Sequence, residues 1–155
     1  MEKLFFLVQH GEAKSEAEDP ERHLTEKGKE ESKKVAELLL KTNLKPDLII
    51  HSEKVRAKET AEIFFKILNP QKGIIQGENL LPLDSPQFWA KKLKEEENNI
   101  MLVGHLPHLS KLTSLLIIND EDKEILKFRY SSCLILLREE KKFYIKLFIT
   151  PEIAR

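Results

Sequence analysis

The stretch LFFLVQHG at residues 4–11 decides how the rest of the chain reads. Its apolar residues, Leu4 to Val8, run without a polar break, the pattern of a strand covered on both faces. Gln9, His10 and Gly11 follow at once, so a histidine stands where the strand ends. The stretch IMLVGHLP at 100–107 repeats the arrangement, with Gly104, His105 and Pro107 closing a second apolar run. In open α/β sheets, ligands bind in the crevice outside the carboxyl ends of the strands. Glycine there lets the backbone turn sharply and a ligand come close. Between the two stretches, HSEKVRAKET at 51–60 leaves a strand-like run (DLIIHS) and enters a helix, bringing Arg56 to the same edge.

Working outward, residues 11–24 are polar and read as a loop. Thr25 precedes EKGKEESKKVAELLLK and is placed to cap a helix of about four turns. Residues 54–68 carry Ala57, Ala61, Phe64, Phe65 and Leu68 at helical spacing. GIIQ at 73–76 reads as a third strand, followed by a loop with Pro82 and Pro86 and a charged helix to about Glu97. After the fourth strand, Pro107 suits the first turn of a helix reaching about Ile118. The tail changes character: SSCLILL and KFYIKLFI, separated by REEK, read as an antiparallel hairpin. The expected fold is a three-layer α/β/α sandwich with a largely parallel mixed sheet and a C-terminal antiparallel hairpin. No repeat or low-complexity linker interrupts it, so one domain over 1–155 is expected.

Composition narrows the function classes. The chain has 155 residues, 26 Lys+Arg against 26 Asp+Glu, 34% charged and 41% hydrophobic residues. Zero net charge argues against a nucleic-acid-binding surface, and no apolar run is long enough for a membrane span. The N-terminal apolar run is shorter than a signal-peptide core, and the lone Cys133 permits no internal disulfide, so a cytoplasmic setting is expected. Positive charge is scarce in fork-shaped form: the arginines are Arg22, Arg56, Arg129, Arg138 and Arg155. Two imidazoles and a guanidinium at one strand edge are suited to holding and attacking a phosphoryl group.

Four motifs in order carry a resemblance. They are Gln9-His10-Gly11 with Glu12-Ala13, then Arg22-His23-Leu24-Thr25-Glu26-Lys27-Gly28. Next come Ser52-Glu53-Lys54-Val55-Arg56-Ala57-Lys58-Glu59-Thr60 and Val103-Gly104-His105-Leu106-Pro107. In these the chain resembles the histidine phosphatase superfamily, the phosphoglycerate-mutase-like fold, and within it the short SixA-like phosphohistidine phosphatases. The resemblance implies His10 as nucleophile, with Arg56 and His105 holding the phosphoryl oxygens. It places Gln9, Gly11 and Arg22 at the substrate and implies neither a metal nor a cofactor. Glu12 or a nearby backbone carbonyl would fix the tautomer of His10. The implied substrate is a phosphorylated protein carrying phosphohistidine, or a small phosphoester.

Gln9 departs from the family pattern, which has Arg before the nucleophile. Gln offers one neutral hydrogen bond where Arg offers a charge-assisted one, about 1 against about 1.5–3 kcal/mol. The corresponding difference in binding or rate is roughly tenfold. No single residue is marked as the proton donor, and Glu12, Glu78 and Asp84 are the candidates for the acid. An imidazole leaving group needs less acid help than an alkoxide, which tilts the expectation toward phosphohistidine. Against this stand a small-phosphoester phosphatase and a phosphate- or phosphoprotein-binding module with weak or no turnover. His51 reads as a structural contact and His23 as a solvated loop residue. His105 and His108 form H-x-x-H but lack a further ligand for zinc. Trp89 either anchors its helix to the sheet or borders the pocket. Arg129 reads as the end of the last helix, and Arg138 and Arg155 as surface residues.

Overall fold

The computed structural model describes residues 2–154; Arg155 lies outside them. A six-stranded mixed sheet orders its strands β3-β2-β4-β1-β5-β6. The parallel half holds β1 (Glu2–Gln9), β2 (Leu48–His51), β3 (Ile74–Gln76) and β4 (Ile100–Gly104). The hairpin β5 (Cys133–Glu139) and β6 (Lys142–Ile149) continues it antiparallel from β1, with a bulge between Ile135 and Leu136.

Strand periodicity divides the core in two. Phe5, Leu7, Leu102, Leu134 and Leu136 face one side of the sheet with Trp89, Leu93, Leu109 and Leu112. Phe6, Val8, Met101, Val103 and Ile135 face the other with Val35, Leu39, Ala57, Ala61 and Phe64. Adjacent residues thus serve opposite layers, which is why β1 and β4 are apolar throughout. The first side is covered by α3 (Gln87–Glu95) and α4 (His108–Ile118), the second by α1 (Glu26–Lys41) and α2 (Val55–Leu68). The Thr25 hydroxyl oxygen accepts from the Gly28 N–H at 3.0 Å, so α1 starts with the expected cap. A side chain at Gly28 would overlap the Glu12 carbonyl oxygen, and this close approach seats the start of α1 on the loop after β1.

Three outcomes differ from expectation. The charged helix α3 stops at Glu95, short of Glu97. α4 ends at Asn119, whose left-handed backbone (φ 56) breaks the helix, so Arg129 lies in irregular chain and pairs with Glu152 at 2.7 Å. Arg138 is a buried residue, only 6% exposed. Its Nη1 donates to the Leu93 carbonyl at 2.6 Å and its guanidinium lies 5.4 Å from the Phe5 ring. The last turn of α3 leaves carbonyls unpaired inside the helix, and a cation from the hairpin meets one of them. Trp89 is an anchor: buried at 2% exposure, it donates Nε1–H to the Glu78 carbonyl at 2.9 Å and pins the 77–86 loop to α3.

Candidate active site

The sheet order sets four chain segments side by side at one edge. Gln9 of β1 registers with Gly104 of β4, so His10 and His105 emerge as neighbours with ring centroids 5.1 Å apart. The His10 N–H donates to the Gly104 carbonyl at 3.0 Å, extending the ladder one residue past the strand. On the β2 side, Ser52 donates its N–H to the Val103 carbonyl at 3.0 Å and brings its hydroxyl within 2.8 Å of His105 Nε2. On the β5 side, which runs antiparallel and therefore begins at this edge, Tyr130 puts its ring 5.7 Å from that of His10.

His10 is buried and its Nδ1 lies 2.7 Å from the Gly11 carbonyl oxygen. A carbonyl only accepts, so the proton of the neutral ring sits on Nδ1 and Nε2 keeps its lone pair. Burial lowers the His10 pKa to about 4, against the raising effect of the Gly11 contact, with Arg56 and Arg22 lowering it further. The ring is therefore a neutral base at ordinary pH. Of the two ways of fixing the tautomer, the structure uses the backbone carbonyl. Glu12 instead accepts a hydrogen bond from the Thr25 hydroxyl at 2.8 Å.

His105 presents the opposite nitrogen. Its Nε2 meets Ser52 Oγ at 2.8 Å, and that hydroxyl also accepts from the Lys54 N–H at 3.2 Å. Its other nitrogen, Nδ1, is buried with no partner among the described residues, and it carries the ring proton when the Ser52 hydroxyl donates to Nε2. Burial, then the His10 and Arg56 charges, lower the His105 pKa to about 3. Arg56 Nε is likewise buried and unpartnered, and burial and Arg22 lower the guanidinium pKa. A buried donor without an acceptor costs about 1–3 kcal/mol. Two buried, unpartnered nitrogens, of Arg56 and His105, thus stand near the His10 ring.

The remaining motif residues brace this arrangement. Gly11 donates its N–H to Thr60 Oγ1 at 2.9 Å, and Thr60 donates to the Arg56 carbonyl at 2.8 Å. A Cβ on Gly11 would lie 2.9 Å from both the Gly28 carbonyl oxygen and Ser32 Oγ. Arg22 has a left-handed backbone (φ 56), donates Nε–H to the Lys14 carbonyl at 2.9 Å and acts electrostatically on both His10 and Arg56. Gln9 is buried with its Oε1 unpartnered. Asp84 and Glu78 line a cleft of about 220 Å³ together with Ser52 and Glu53, and Asp84 Oδ2 accepts from the Leu81 N–H at 2.9 Å.

The other histidines fall outside the cluster. His51 Nδ1 lies 2.8 Å from the Ser52 carbonyl oxygen, a structural contact. His23 pairs with Asp19 at 2.7 Å, and that partner raises its pKa. His108 is wholly buried with both ring nitrogens unpartnered among the described residues, and burial lowers its pKa to about 4. Sequence reasoning left Ser52 and Tyr130 without a role. Ser52 was legible as the head of its motif, whereas Tyr130 carries no signal beyond its place before an antiparallel strand.

A model of the histidine phosphatase superfamily (branch 1) matches residues 5–81. Over the whole chain the fold matches that of the protein histidine phosphatase SixA in complex with tungstate, with a TM-score of 0.87, 22% identity and coverage of 98% of this chain and 99% of that one. The chain belongs to the histidine phosphatase superfamily. Its fold also matches a phosphoserine phosphatase of Entamoeba histolytica (TM-score 0.66, 18% identity, 94% of this chain and 96% of that one). In sequence it is 35% identical over 71 residues to the mitochondrial serine/threonine-protein phosphatase Pgam5 of Drosophila pseudoobscura pseudoobscura, spanning 45% of this chain. The match spans about a quarter of the length of the curated relatives. No helix among the described residues is long and apolar enough to cross a membrane.

Proposed function

We propose that this chain is a phosphatase that works through a phosphohistidine intermediate on His10, with protein phosphohistidine as its substrate. The observation that carries the reading is the pairing of His10, proton held on Nδ1 by the Gly11 carbonyl, with the unpartnered donors of His105 and Arg56. His10 Nε2 attacks phosphorus in line, and the bond from phosphorus to the substrate imidazole breaks as that nitrogen takes a proton from solvent water. Water then attacks the phosphorus of phospho-His10, releasing inorganic phosphate and restoring the neutral ring. Arg56 and His105 Nδ1 donate to the equatorial oxygens, where charge spreads in each transition state. Gly11, Gln9 and Arg22 complete the wall around the phosphoryl group. The likeness to SixA, a protein histidine phosphatase whose fold matches over 98% of this chain, supports the substrate class. A small phosphoester is the second reading, favoured by Glu78 and Asp84, two carboxylates in the cleft that includes Ser52.

The test is phosphate release and covalent labelling from a phosphohistidine-bearing protein. The expected result is acid-labile label on His10, absent from His10→Asn. Phosphate bound without label or release overturns the enzymatic reading in both forms. Release from phosphoesters alone, dependent on Asp84 or Glu78, selects the second reading.

A further inference from the structure

Beyond the groups assigned to the phosphoryl oxygens, one exposed aromatic ring stands at the pocket. Tyr130 is 44% exposed, yet its ring contacts that of His10 at 5.7 Å, inclined by 41°. It also lies close enough to Arg56 to bear on the titration of that guanidinium. A large aromatic left half in solvent is not serving the core.

Its backbone is held firmly. The Ser131 N–H is shared between the Gln9 and His10 carbonyls at 3.0 and 3.3 Å. Ser131 takes a left-handed conformation (φ 65) and its hydroxyl meets that of buried Ser32 at 2.7 Å. On the other flank Arg129 gives its N–H to Ser132 Oγ at 3.0 Å, and Phe128 is buried in the core. Tyr130 is thus a fixed platform tied to the nucleophile's own carbonyl.

In-line attack by His10 Nε2 sends the leaving group out on the far side of phosphorus, away from the buried His10 ring. Of the two rings that contact His10 among the described residues, Tyr130 is the exposed one. We propose that Tyr130 walls the leaving-group subsite and selects phosphoryl compounds whose leaving group is a planar aromatic ring, such as phosphorylated imidazole, over aliphatic ones. The proposal takes the identity of the reacting groups from the hydrolase reading above. Stacked or tilted rings attract at centroid separations of about 4.5–7 Å, a range that the His10 contact already occupies on one side of Tyr130.

The test is calorimetric titration with phenylphosphonate and methylphosphonate, which share the anionic head and differ in the ring. The wild-type protein is expected to prefer the phenyl compound by about three- to tenfold. Tyr130→Phe keeps the preference. Tyr130→Ala abolishes it while holding methylphosphonate affinity within about twofold. Equal preference in Tyr130→Ala and wild type overturns the proposal. So does an equal loss for both ligands, which would make the ring a support for His10 alone. Turnover of N-phosphoimidazole is measured in parallel. No turnover with the binding preference intact overturns the hydrolase reading and leaves the subsite standing.

Discussion

The two strand ends that bear histidine are built from the same letters in a different order, and they leave opposite ring nitrogens free. After β1 the order is His10-Gly11; at β4 it is Gly104-His105. Gly11 is packed on three sides, whereas a Cβ on Gly104 would find its nearest neighbour, the Leu80 carbonyl oxygen, at an ordinary 3.5 Å. The tight glycine turns the chain so that its own carbonyl takes Nδ1 of His10 and frees Nε2. At the other end the ring is fixed from outside, by Ser52, and Nδ1 is the nitrogen set free. The nitrogen left without a partner is Nε2 in one ring and Nδ1 in the other, although both are neutral and buried. Strand-end placement alone therefore does not assign a role; the partner of the second ring nitrogen does.

The largest effect that separates the two ends is loss of the rings themselves. Under the proposed mechanism, His10→Asn removes the nucleophile and is expected to lower kcat by at least about a thousandfold with no phosphoenzyme. His105→Asn removes one donor and costs about a hundredfold while still forming labelled His10. Single-turnover labelling of the two variants checks this, and label retained on His10→Asn breaks the comparison. Next in size is Gln9→Arg, which adds a fork beside Gly104 and is expected to raise kcat/KM by up to about tenfold. An unchanged rate means that the Gln9 amide already serves.

The glycines separate on stability. Gly11→Ala is expected to lower the unfolding free energy by about 1–3 kcal/mol, because backbone and packed hydroxyls surround the site. Gly104→Ala, in a strand with room, is expected to be neutral or stabilising by about 0.5 kcal/mol. Denaturant midpoints for both variants test the contrast. The smallest effect at ordinary pH is titration. His10 and His105 have folded pKa values near 4 and 3, below the ordinary 6.5. The unfolded chain therefore binds protons first, and stability is full above about pH 6.5 and lost as pH falls toward the folded values. His108, near 4 for the same reason of burial, adds to that slope, and His108→Leu is expected to flatten it. The acid limb of kcat/KM is expected near 4, and a limb at 6.5 refutes a neutral buried nucleophile.

Much of this was legible in the chain. Unbroken apolar runs ending in histidine marked β1 and β4, because a strand buried on both faces has no polar alternation to hide it. Thr25 marked the start of α1 since its hydroxyl has a backbone donor three residues on. Arg138 was not legible: a cation near a hairpin turn reads as solvated, and only the approach of α3 supplies the Leu93 carbonyl that buries it. Ser52 and Tyr130 acquire their roles from sheet order, which places residues 52, 105, 10 and 130 side by side although they are remote in sequence. The tautomer of His10 rests on the rotation of one peptide carbonyl, below anything that residue identity specifies.

The bulged hairpin has a consequence for how molecules of this protein meet one another. A sheet that stops must present unpaired backbone groups at its two rims, and such rims invite pairing with a second copy. Here one rim is β3, only three residues long. The other is β6, kinked opposite the Ile135–Leu136 bulge and carrying Lys142 and Lys146 among its exposed apolar residues. A short rim and a kinked, cationic one give neither side a flat template, so Tyr144, Ile145 and Leu147 can stay in solvent without seeding edge-to-edge aggregation.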